Sequence, residues 1–191
     1  MTLLLSMTEW VAFLSGLIYI YYAANNDLKC WYWGILSCAA WMWVTVVTYG
    51  LYADGLLNFF YVVMGFVGLY HWKKGGEEGG ELPISALSSL QMLMILVSGI
   101  ALTLAGGYYL GQYTDAMATY WDSGTTVFSV IATLLLIKKK IENWPLWVVV
   151  NTAYIGLYVY REAWLFAILF TIYNVLAFYG WREWRRRYYS A

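Results

Sequence analysis

Two amides and a phenol stand where hydrocarbon would penalise them. Asn151 and Tyr154 lie three residues apart in the run WPLWVVVNTAYIGLYVY, and Asn174 follows Tyr173 in the run WLFAILFTIYNVLAF. On a helix, residues three apart share a face, so Asn151 and Tyr154 offer a carboxamide and a phenol in the same direction. Such groups can bind a small polar ligand, or they can bond to a neighbouring helix and hold it in place. Both readings stay open for Asn151, Tyr154 and Asn174. Gln91, early in another apolar run, is a further buried-amide candidate with the same two readings. Thr152 and Thr171 add hydroxyls to the same two runs.

Aromatic rings are the second chemical resource. They make up 20% of the 191 residues, with 12 tryptophans and 19 tyrosines, more than two interfacial belts require. Trp41 and Trp43 lie deep in one apolar run on faces about 200° apart, so at most one of them faces an interior cavity. Trp147 and Tyr173 are candidates to stack on a ligand ring. Trp31, Trp33, Trp144, Trp164 and Trp184 stand at the ends of runs, where the interfacial belt explains them.

Catalytic chemistry has little support. The only histidine, His71, closes a run, and no HExxH, P-loop or GxSxG pattern occurs. No enzyme activity, cofactor or metal is expected. Cys30 and Cys38 lack CxxC spacing and read as packing residues. Asp115 and Asp122 read as solvated charges near an outer face.

The elements that position these groups follow from composition. Hydrophobic residues are 62% and charged residues 12% of the chain, and mean hydropathy is +0.59. An all-α integral membrane protein is expected. Seven runs are close to the length that a spanning helix needs, about 20 residues. They lie near 7–24, 31–51, 56–72, 84–110 and 123–137, with the last two in 144–184 on either side of the break at Arg161-Glu162, and GQYTDAMATYWD read as a short interfacial helix before the fifth. No basic residue precedes the first run, so a cleaved signal peptide is not expected.

Lysine and arginine equal aspartate and glutamate at 11 each, which gives no basis for a nucleic-acid partner. Their placement, however, reports topology. Counting loops alternately, Lys29, Lys73, Lys74, Lys138 to Lys140, Arg182 and Arg185 to Arg187 fall on one side, and only Arg161 on the other. The positive-inside rule then places the N-terminus outside and the C-terminus in the cytoplasm.

A weak internal echo divides the chain. At an offset of 112, Gly68 to Trp72 falls on Gly180 to Trp184 and Tyr61 on Tyr173; with one residue of slack, Trp31 falls on Trp144. The expected organisation is a first three-helix bundle over 1–72, a cytoplasmic loop over 73–83, a linking helix and outer loop over 84–122, and a second bundle with a cytoplasmic tail over 123–191. A 3+1+3 parallel repeat is the arithmetic of a transporter with its substrate near the bilayer midplane. The rival class is a membrane receptor or assembly subunit that moves nothing.

The blocks TEWVAFLSGL, GLYADGLLNFFYVVMGFVGLYHW, DSGTTVFSV, KKKIENWPLWVVVN, LYVYREAW and GWREWRR together resemble the PnuC-type vitamin transporters, bacterial relatives of the full-length SWEET sugar transporters. The resemblance implies a bacterial inner-membrane protein that takes up a B-vitamin or its riboside by facilitated diffusion, with trapping by phosphorylation. It also implies a homotrimer. Nicotinamide riboside is the first expectation, then thiamine, then riboflavin. One departure keeps thiamine in view: Ile131-Ala132-Thr133 stands where riboside members often carry a glutamine followed by an aromatic residue. Both leading candidates carry a cationic ring, which aromatic faces attract by roughly 0.5–2 kcal/mol.

Overall fold

The computed structural model describes residues 2–50, 52–113, 119–160, 162 and 164–190. Among them are seven α-helices: α1 (Thr2–Ala24), α2 (Lys29–Val47), α3 (Tyr52–Lys74), α4 (Ser89–Tyr113), α5 (Thr119–Ile137), α6 (Asn143–Tyr160) and α7 (Trp164–Ser190). At 1.5 Å per residue they are roughly 27–40 Å long, the scale of a bilayer core. Four of them, α2, α3 from Asp54, α4 and α5, are long and apolar enough to cross a membrane. The amides Asn143 and Asn151, with several tyrosines and tryptophans, lower the mean hydropathy of α6.

The chain forms two compact units, Met1–Pro83 with Arg182–Ala191, and Ile84–Trp181. In the first, α1 packs on α2 and α2 on α3. Ser37 Oγ donates to the Ala12 carbonyl at 2.7 Å, a bond between α1 and α2. Asn26, at φ +56°, closes α1. Its N–H reaches the Ala23 carbonyl at 3.0 Å, and the Asp27 N–H reaches Tyr22 at 2.9 Å, which satisfies carbonyls that a helix end leaves open. Asparagine tolerates this left-handed geometry better than most residues. The Asp27 carboxylate then accepts from the Lys29 N–H at 2.8 Å and starts α2.

In the second unit α4 packs on α5 and α5 on α6. The α5–α6 turn has the same closure. Lys139 sits at φ +48°, its N–H reaches Leu136 at 3.0 Å, and the Lys140 N–H reaches Leu135 at 2.9 Å. Next to it runs an extended strap. Ser85 donates to the Lys139 carbonyl and accepts from the Ile141 N–H, both at 3.0 Å, while Glu142 Oε1 accepts from the Leu87 N–H at 2.9 Å.

The strap corrects the expected start of the fourth helix. Residues 84–88 spend their backbone groups on the turn, and α4 begins at Ser89 behind a reciprocal cap between Ser88 and Gln91. The fifth helix starts at Thr119, earlier than expected, so Thr119 to Asp122 form its first turn; the rest of the expected interfacial helix, from Thr114, lies outside the described residues. The hydroxyls in α5 are accommodated by bonding backward along the helix: Thr125 to Trp121 at 3.0 Å and Thr133 to Ser129 at 2.9 Å.

Glycine matters most where an indole lies on a helix backbone. Gly68 in α3 faces the Trp31 ring, and Gly180 in α7 faces the Trp144 ring; a Cβ at Gly180 would stand 2.7 Å from that ring. Both indoles are buried. Gly68→Ala and Gly180→Ala are each expected to lower stability by about 1–3 kcal/mol through overpacking. Gly156→Ala, where no neighbouring atom lies within 4 Å, is expected to leave stability unchanged or raise it by up to about 1 kcal/mol. Thermal unfolding in detergent measures all three.

Candidate substrate site

Asn151 is buried, 3% exposed, in the middle of α6. A buried amide costs free energy unless hydrogen bonds satisfy it. One turn along, Tyr154 packs on Phe170 of α7, with ring centroids 4.7 Å apart, and lies 6.1 Å from Tyr158 in near-parallel orientation. Phe170 also meets Tyr158 at 5.3 Å and Tyr173 edge-on at 5.7 Å. The α6–α7 contact is therefore an aromatic layer one turn from the buried amide.

Asn174 bridges the same two helices. Its Nδ2 donates to Thr152 Oγ1 at 3.0 Å, and Thr152 donates in turn to the Val148 carbonyl at 2.7 Å. The interhelical bond weighed for it from sequence is present, yet Asn174 Oδ1 is buried with no partner. Its donor side thus ties the two helices, and its acceptor side is unpartnered. Thr171 is satisfied within α7, donating to Ala167 at 2.7 Å.

Other candidates fall elsewhere. Gln91 is exposed and caps α4, so the expected buried amide is not found there; its carbonyl serves a helix start that the sequence pattern placed five residues earlier. Trp147 packs on the core of Ala132, Leu135 and Leu146. In the first unit Trp41 is half-buried and Trp43 is 56% exposed, consistent with their opposite faces. Asp115 and Arg161 lie outside the described residues. No group of histidine, cysteine and acidic residues suited to a metal occurs among the described residues.

Sequence reasoning missed three contributors. Phe170 and Tyr158 carry no polar signal, although Tyr158 lies one helical turn from Tyr154 and on the same face. Asn143 is fully buried at the start of α6, donates to the Lys140 carbonyl at 2.6 Å, and keeps Oδ1 unpartnered. An open, mainly apolar hollow of about 200 Å³ lies between α5 and α6, lined in part by Tyr120, Trp121, Phe128 and Val150. None of the eight residues expected to bind substrate lines it.

A family profile described as Nicotinamide mononucleotide transporter matches residues 6–186. The chain belongs to that family. The nicotinamide riboside transporter PnuC of Neisseria mucosa is 27% identical over 190 residues, spanning 92% of this chain and 71% of the relative. The protein of the same name from Escherichia coli K12 is 23% identical over 205 residues, spanning 94% and 85%. Among solved structures, the crystal structure of the vitamin B3 transporter PnuC superposes with a TM-score of 0.76 at 26% identity, covering 95% of this chain and 81% of that one. Membership in a transporter family agrees with the sequence reading of a transporter rather than an enzyme.

Asn174→Leu removes the bond to Thr152 and is expected to cost about 0.5–2 kcal/mol, the range for interhelical bonds in membranes. Unfolding of the purified protein by denaturant in detergent checks the loss.

Proposed function

We propose that this protein takes up nicotinamide riboside across a bacterial inner membrane by facilitated diffusion, using Asn151, Asn174, Tyr154 and Tyr173 as the core of its substrate contacts. The observation that carries the reading is the buried amide of Asn151 on α6 together with the unpartnered Oδ1 of Asn174 on α7, in a chain of this transporter family. The relatives named nicotinamide riboside transporter suggest the substrate. Phosphorylation in the cytoplasm would keep the imported riboside from leaving.

The chemistry suits a cationic ring with hydroxyl-rich ribose. From Ser123 to Ile137, Trp144 to Tyr160 and Trp164 to Trp181 the chain has no Asp, Glu, Lys or Arg. A permanent cation passing these helices meets aromatic faces and amide dipoles rather than a carboxylate. Such a site requires no proton transfer.

We read all seven helices as spans, with the N-terminus outside and the C-terminus in the cytoplasm, on the strength of the lysine and arginine placement. A 3+1+3 parallel repeat is supported by the two turns. The bonds Asn26 to Ala23, Asp27 to Tyr22, Cys30 to Asp27 and Trp31 to Leu28 have counterparts 113 residues later in Lys139 to Leu136, Lys140 to Leu135, Asn143 to Lys140 and Trp144 to Ile141. At the same spacing Trp41 corresponds to Tyr154, so each three-helix set carries an aromatic residue at one position.

Nicotinamide riboside, thiamine and riboflavin titrated in parallel against the purified protein test the assignment. Saturable riboside binding is expected, weakened about 10-fold or more by Asn151→Ala, because the ligand group it met is left unpaired. Thiamine binding with no riboside binding would overturn the substrate, and intact riboside binding by Asn151→Ala would overturn the site. A receptor that moves nothing predicts no riboside uptake into proteoliposomes.

A further inference from the structure

The last helix ends inside the first unit. Trp184, on α7, is fully buried and donates from Nε1 to the carbonyl of Ala23 at 3.1 Å, across 161 residues of chain. Ala23 belongs to the final turn of α1, and its carbonyl accepts the indole N–H in addition to the Asn26 N–H at 3.0 Å. The Trp184 ring lies 5.8 Å from Trp72, and Trp72 meets Trp31 edge-on at 5.4 Å. The three rings are 0%, 1% and 3% exposed. Trp31 in turn follows Cys30, which is also fully buried, in the first turn of α2.

The two repeated turns are held by different means. Beside the α5–α6 turn, Ser85 and Leu87 add backbone bonds to Lys139, Ile141 and Glu142 in one continuous strap. On the α1–α2 turn, the added bond comes from an indole at the far end of the sequence. A strap that is continuous with its own unit resists separation. An indole on the end of another helix can be withdrawn when that helix moves, at the cost of its hydrogen bond and its burial.

We propose that Trp184 is a latch that closes the cytoplasmic end of the transport path by tying the end of α7 to the end of α1. Release of substrate to the cytoplasm requires the Trp184 to Ala23 bond to break and the indole to leave Trp72. This uncovers Trp72 and loosens its contact with Trp31, which follows Cys30 in the same turn. The inference rests on the transporter reading and on the orientation that puts these helix ends in the cytoplasm. Trp184 acts through position and touches no substrate.

Cys30 provides a native reporter. In a Cys38→Ala background it is the sole thiol, and labelling by a membrane-impermeant maleimide counts how often the turn opens. Trp184→Phe keeps a ring against Trp72 and removes the N–H. Labelling is expected to accelerate about 3- to 10-fold, the range for one lost hydrogen bond, with the protein monodisperse and riboside binding retained. An unchanged labelling rate, with or without a lower melting temperature, would make Trp184 a structural clamp and overturn the latch. If the Phe variant does not remain monodisperse, Trp184→Met, which keeps apolar volume without the N–H, is read in the same way. The labelling needs no ligand, so failure of the latch is distinguishable from failure of the riboside assignment, which the binding titration decides.

Discussion

Polar groups inside hydrocarbon must find partners within the protein, and the arrangement of this chain depends on that constraint. Backbone groups are satisfied by the helices themselves. At helix ends, Asn26 and Lys139 turn the chain so that the next amides reach back to open carbonyls. Within the helices, Thr125, Thr133, Thr152 and Thr171 donate to the carbonyl four residues earlier. Against this background the acceptor side of Asn174 stands out as an exception, buried and unanswered. In a transporter, a binding site must hold some such unsatisfied capacity, because the substrate supplies the missing partner.

The second organising contact is an indole laid on a glycine. Trp31 on Gly68 and Trp144 on Gly180 bring two helices together at the end where the basic residues collect. A flat ring fills the space that a Cβ would otherwise occupy, and dispersion over the whole ring face replaces the contacts that glycine lacks. The same tryptophans were assigned to interfacial belts from sequence. Trp31, Trp144 and Trp184 are instead buried, while Trp164 is 61% exposed and agrees with a belt position. Position along a helix told where each ring lies in depth but not which way it points.

The helices and their order were legible because hydrocarbon-length apolar runs leave a strong signal. Boundaries were read within a few residues for most elements. They failed at α4, where Ile84 to Ser88 are apolar or small yet serve as a strap on Lys140, and where Gln91 caps the helix instead of facing its interior. The amides of α6 and α7 were legible as polar exceptions. The aromatic layer of Tyr158 and Phe170 was not, because a ring inside an apolar run carries no mark that separates packing from binding.

Sequence by itself determined the class of molecule, the number of long helices, the charge asymmetry of the loops and the spacing of the tryptophan and glycine pairs. These follow from composition and period, which the solvent reads one residue at a time. Only the tertiary structure decided that Asn174 donates to Thr152 while keeping its acceptor open, that Asn151 is buried, and that Trp184 closes on Ala23. Each of those outcomes depends on which helices are neighbours and on how far one side chain reaches into another helix's space. A hydrogen bond between residues 161 positions apart leaves no local trace in the chain that forms it.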